Sequence, residues 1–206
     1  MITMQNNPMV CSPSQPYGIL LSQTRETLLD SEIYLRFIRS AERAFRSSKF
    51  YRDYKCDLMN KGMYRDQRHA SITSEMADLE MHHEFISLEF MAIMLTEHTL
   101  NAKGCINTME LISMLENVHR NNEIAVIMLD KTEHQVHHSD PTDFISISQC
   151  YGNPFAFLDK YIDGMTLDIA FKLLLHLKQE EQYGGSYSIS AVRARDQILS
   201  WQRDYL

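Results

Sequence analysis

Leu79-Glu80-Met81-His82-His83 ends a short apolar run on two adjacent imidazoles. Downstream, Ile124-Ala125-Val126-Ile127-Met128-Leu129-Asp130-Lys131-Thr132-Glu133-His134-Gln135-Val136-His137-His138 passes from an apolar run into a histidine-bearing segment. The run over 124–129 is rich in β-branched residues and short enough for a strand, and Thr132 can cap the helix that follows. Residues 75–85 lack a helical stripe and read as a strand or extended segment that delivers His82 and His83. Seven of the nine histidines fall within the 57 residues from His82 to His138. Neutral imidazole is the commonest metal ligand and the usual general base near pH 7, so this clustering marks a candidate site.

Helical spacing dominates on both sides of these stretches. Residues 31–47 place Ile33, Phe37, Ile38, Ala41 and Phe45 on one stripe with arginines between them. Ser47 and Ser48 offer a cap for a second helix over 49–60, which stops near Gly62. Residues 63–73 are polar and read as irregular. Ser87 opens an apolar helix that closes near Gly104, and Asn107 or Thr108 caps the next. Asn121-Asn122 signals a turn, and Pro141 lies just beyond the trailing histidines. After a second turn at 151–154 come helices over 155–162, from Thr166 to the Gly184-Gly185 stop, and over 189–201. The expected fold is α+β and mainly helical, with a small ββα element embedded in helices. Its expected divisions are a loose leader over 1–28, a basic helical segment over 29–70, the histidine region with a helical insertion over 71–140, and a helical region over 141–206.

The net charge of −7 does not suit a protein that binds nucleic acid over its whole surface, but the charge is unevenly spread. Between Arg36 and His69 there are ten Lys or Arg against four acids, a local +6 that leaves −13 for the remainder. Such a segment can neutralise phosphates locally, and a solvated helix face would show the same pattern. Four widely spaced cysteines, Cys11, Cys56, Cys105 and Cys150, form no CxxC pair. They fit free thiols in a reducing cytoplasm. The N-terminal residues lack a signal-peptide layout, and no run of about 18 apolar residues suggests a membrane span.

His134 and His138 are one helical turn apart and can face one point. A zinc protease would need HExxH, whereas Gln135 stands where that motif has its glutamate. His69, His98, His119 and His176 are isolated on expected helices or loops and read as structural, and His137 reads as facing away from the site.

The LEMHH segment and the IAVIMLDKTEHQVHH segment together resemble the HNH endonuclease family, the His-Me finger or ββα-metal nucleases, and in particular phage-type HNH proteins. The resemblance covers roughly residues 75–140. It implies His83 as the general base that takes a proton from the attacking water. It implies one divalent ion (Mg²⁺, Mn²⁺, Ni²⁺ or Zn²⁺) on His82, His134 and His138, and it makes Asn122 the family's central asparagine. Adjacent strand residues point to opposite faces, so one ligand and one base is the natural use of the His82-His83 pair. The 38 residues between His83 and Asn122 would then be an insertion on the outside of the finger.

The function so implied is metal-dependent cleavage of DNA, with RNA as an alternative substrate, by a protein of phage or mobile-element origin acting in a bacterial cytoplasm. Arg36, Arg39, Arg43, Arg46, Lys49 and Arg52 would contact phosphates without reading sequence. Two alternatives stay open. One is a non-catalytic phage accessory protein that binds nucleic acid or a protein and keeps a structural metal on the same histidines. The other is an interaction protein without metal.

Overall fold

A computed structural model describes residues 22–140, 143–183 and 188–205. Its elements run β1 (Gln23–Thr24), α1 (Ser31–Ser47), α2 (Lys49–Asn60), β2 (Leu79–Glu84), α3 (Leu88–Lys103), β3 (Cys105–Ile106), α4 (Thr108–Arg120), β4 (Ala125–Asp130), α5 (Lys131–Ser139), α6 (Pro154–Tyr161), α7 (Leu167–Tyr183) and α8 (Ser188–Tyr205). The fold is α+β and mainly helical, as the periodicity predicts. Most of the expected leader, the turn at Pro141 and the Gly184-Gly185 stop lie outside the described residues.

Side-chain oxygens set the helix starts. Asp30 accepts from the Glu32 and Ile33 amides, Ser48 from Tyr51, Ser87 from Phe90 and Asn107 from Glu110. Gly104 takes the left-handed conformation that closes α3. Two expectations need correction. The cap of α5 is Asp130, which accepts from the Thr132 and Glu133 amides, so the helix starts at Lys131 rather than after Thr132. Ile33, expected on the apolar stripe of α1, is exposed at 38%, while Phe37, Ile38, Ala41 and Phe45 are buried.

β2 pairs antiparallel with β4, with His82 opposite Ile127 and His83 opposite Val126. The two-residue period then divides the ribbon. Leu79, Met81, Val126 and Met128 join the main core, whereas Ile127 and Leu129 pack with Ile145 in a smaller cluster on the other side. Glu80, His82 and Glu84 alternate with the core-facing residues and so share that second face. The outer edge of β4 is also closed: Met128 exchanges hydrogen bonds with the Gln67 backbone and side chain, and Val126 with Tyr151. Gly152 follows Tyr151 at φ +103, where a Cβ would lie 2.0 Å from the Ile124 carbonyl oxygen. No side chain fits there.

The segment between the strands is not an outer appendage. Met91, Leu95, Leu111, Leu115 and Val118 of α3 and α4 pack with Phe37, Ile38 and Phe45 of α1 in the main core. A short β1–β3 pairing, Gln23 with Ile106 and Thr24 with Cys105, ties the start of the described chain to the α3–α4 link. These two-residue strands carry no sequence alternation that could have announced them. The same hydrophobic cluster continues from Leu28 to Ile198, so α7 and α8 share the core with α1.

Candidate metal centre

α5 begins directly after β4 and turns back over the face of the ribbon that carries Glu80, His82 and Glu84. Asp66 fixes this corner. It is fully buried, and its carboxylate accepts from the Arg68, His69 and Asp130 amides. The i, i+3, i+4 spacing of His134, His137 and His138 then sets three imidazoles around the ring of His82. The ring centroids lie 5.0, 4.7 and 5.0 Å from that of His82, respectively.

Nδ1 of His82 lies 3.0 Å from Nε2 of His134, which is 3.0 Å from Nε2 of His138. The other nitrogens of the first two rings face carboxylates: His134 Nδ1 contacts Glu80, and His82 Nε2 lies 3.2 Å from Glu84 Oε2. A carboxylate accepts only, so each outer nitrogen carries the proton and donates. In the neutral rings the inner nitrogens are then bare, and two lone pairs face each other at 3.0 Å. Such facing lone pairs repel, and either a proton shared between the rings or a metal ion between them relieves the repulsion. The spacing approaches the edge of about 3.3 Å for a tetrahedron with bonds of 2.0–2.1 Å. Outer-nitrogen donation to a carboxylate is the usual support for a metal-binding imidazole. The residues therefore fit a divalent ion. His82 is buried, His134 half-buried and His138 exposed, so the set opens to solvent on the His138 side. Burial, followed by the charges of His82, His134 and His137, lowers the pKa of His138 and favours the neutral form a ligand needs.

His83 points to the opposite face. It is 6% exposed, and its Nε2 lies 2.9 Å from Nε2 of His119. His119 Nδ1 donates to the Leu115 carbonyl at 2.7 Å, so His119 accepts from His83. Burial, reinforced by His119 and Arg46, holds the pKa of His83 well below its usual value, and burial takes His119 down to about 4. The His119 ring packs against Phe45, Phe50 and Tyr54. The structure thus brings His82, His134 and His138 together and leaves the expected base buried against His119. Asn122 is not at the histidines either. It precedes β4 while α5 follows it, a separation of roughly 20 Å along six strand residues. With φ +54 it forms a left-handed turn, and it lines a cavity of about 320 Å³ with Tyr54, Lys61 and Arg120.

His137 does not face away, contrary to the expectation from spacing. Its Nε2 lies 3.2 Å from Glu84 Oε2 and its Nδ1 3.0 Å from Asp143 Oδ2. Hydrogen bonding to Glu84 raises the pKa of His137 against the effect of burial. Burial works against the Glu84 carboxylate, but hydrogen bonds from His137 and His82 outweigh it and bring its pKa to about 2. His176, on α7, approaches the other oxygen of Glu84 at 3.4 Å. Reasoning from histidines alone overlooks Glu80 and Glu84. The signal is present in the period-two pattern Glu80, His82, Glu84 on one strand face.

All six basic residues expected to meet phosphate are exposed. Arg36, Arg39, Arg43 and Arg46 follow i, i+3, i+7, i+10 on α1 and fall within about 80° of one another, a continuous stripe. Arg36 pairs with Glu32 at 2.7 Å, Lys49 pairs with Asp53, and Arg52 donates to the Ser47 carbonyl at 2.8 Å. Burial raises the pKa of Tyr51, with the Arg46 charge opposing and Glu80 adding to the effect.

A family model described as Bacteriophage G278-like virion protein matches residues 19–198. Comparison with curated proteins and with solved structures gave no match. No helix among the described residues is long and apolar enough to cross a membrane.

Proposed function

This chain belongs to the Bacteriophage G278-like virion protein family, and from that premise we propose that it is a metal-dependent endonuclease of the HNH type, carried with the phage particle and acting on DNA. The observation that carries this reading is the convergence of His82 Nδ1, His134 Nε2 and His138 Nε2, two of them oriented from behind by Glu84 and Glu80. Three protein ligands with an exposed side are the mark of a site that takes a further ligand, whereas structural sites close with four. A divalent ion bound there supplies Lewis acidity toward a phosphoryl oxygen. Glu80 and Glu84 keep the inner nitrogens free of protons, and the rigid ribbon fixes their direction. The arginine stripe of α1 neutralises backbone phosphates.

The burial of His83 against His119 favours a second reading, a non-catalytic virion component that holds the same ion and binds nucleic acid or a protein through the arginines. Incubation of supercoiled plasmid with Mg²⁺, Mn²⁺, Ni²⁺ or Zn²⁺, and with EDTA, separates the two. Metal-dependent nicking or linearisation, abolished in His134→Ala, supports the nuclease. A protein that binds metal and leaves plasmid intact under every ion sinks the nuclease reading and leaves the second.

A further inference from the structure

The ring of His82 has two ends, and the proposed ion uses only one. At the other end, His82 Nε2, Glu84 Oε2 and His137 Nε2 form a second three-donor set. Both ring nitrogens lie 3.2 Å from the shared carboxylate oxygen, and all three donor atoms lie within 4.8 Å of one another. We infer that this set is a second divalent-cation position, joined to the first through the imidazole of His82. The inference rests on the reading of the first site, because it requires His82 to serve both.

The construction of the second set repeats that of the first. His137 Nδ1 faces Asp143 Oδ2 at 3.0 Å, so Asp143 can hold the proton of that ring on Nδ1 and leave Nε2 to a metal, as Glu80 does for His134. Asp143 is in turn gripped by both guanidinium nitrogens of Arg68. Glu84 is 6% exposed and its second oxygen is approached by His176 and by the Phe85 amide at 3.2 Å, so the carboxylate has little freedom to leave the set. The mixed nitrogen and carboxylate donors suit Zn²⁺, Ni²⁺ or Co²⁺ better than Mg²⁺. In the metal-free chain, protons on Nε2 of His82 and of His137 occupy the space between these atoms. A second ion displaces both to solvent, and His82 then bridges as the imidazolate.

Stoichiometry tests this directly. The full chain is saturated with Zn²⁺ alone, freed of excess by gel filtration, and weighed by native mass spectrometry. Circular dichroism and thermal unfolding on each variant establish that it is folded. The expected result is two ions on the parent and one each on His137→Ala, Glu84→Gln and His138→Ala. Glu84→Gln keeps the shape of the buried side chain, so it stands in if His137→Ala fails to fold. One ion on the parent, kept in His137→Ala and Glu84→Gln but absent from His138→Ala, overturns the second position and leaves the first intact. One ion absent from His137→Ala but kept in His138→Ala overturns the first reading and the shared bridge with it. A parent that binds none overturns both.

Discussion

His83 Nε2 donates to His119 Nε2 across 2.9 Å, and that bond joins β2 to α4, where Phe45, Phe50 and Tyr54 pack against the His119 ring. Its consequence is a pH-dependent core. Both rings are held neutral by burial, with folded pKa values below the ordinary 6.5 and that of His119 near 4. As pH falls below about 6.5 the unfolded chain takes up protons that the folded chain refuses, so stability declines toward pH 4. Urea unfolding at pH 7 and pH 5 should show a drop in the parent that is smaller in His119→Phe. An equal drop in both would show that the pair does not control the acid limb.

His83→Ala separates a core role from a catalytic one. Removing a buried ring and the donor to His119 should cost about 2–4 kcal/mol of stability while leaving bound metal unchanged. Should the variant remain folded and cleave more slowly by a factor of about 10² or more, the base assignment drawn from the family resemblance would be restored.

Glu80 supports His134 from behind. Glu80→Gln should weaken metal affinity by about 10- to 100-fold, while His134→Ala and His138→Ala should each abolish tight binding to the first site. Isothermal titration with Zn²⁺ measures all three. An unchanged affinity in Glu80→Gln would mean that the carboxylate plays no part in orienting the ring.

Asn122 serves the turn before β4. Asn122→Gly should retain stability and metal, since glycine accepts φ +54 without strain. Asn122→Ala should cost about 1–2 kcal/mol. Thermal unfolding and metal content of the two variants decide this, and a metal-free Asn122→Gly would return the residue to the site.

The arginine stripe predicts a salt effect. Replacing Arg39, Arg43 and Arg46 with Ala should flatten the slope of log affinity for duplex DNA against log salt by about 0.9 for each phosphate no longer neutralised. A folded triple variant with the parent's slope would make the stripe a solvated helix face.

Much of the fold is legible in the chain because its signals are local. The stripe Phe37, Ile38, Ala41 and Phe45, the caps Ser48, Ser87 and Asn107, and the stop at Gly104 each act within a turn of helix. The i, i+4 relation of His134 and His138 is local too, whereas the pairing of His82 with them came from the family resemblance and not from spacing.

Tertiary structure decided what local signals cannot encode. Strand alternation states that His82 and His83 diverge, but only the packing of α1 and α4 made the His83 side the core and the His82 side the site. His137 was placed by Asp143 and by Arg68, whose ion pair spans 75 residues. The segment between the strands became core rather than appendage because its apolar faces found α1, a packing that no spacing within the segment specifies. Local periodicity fixes which residues share a face, whereas which face is buried depends on partners distant in the chain.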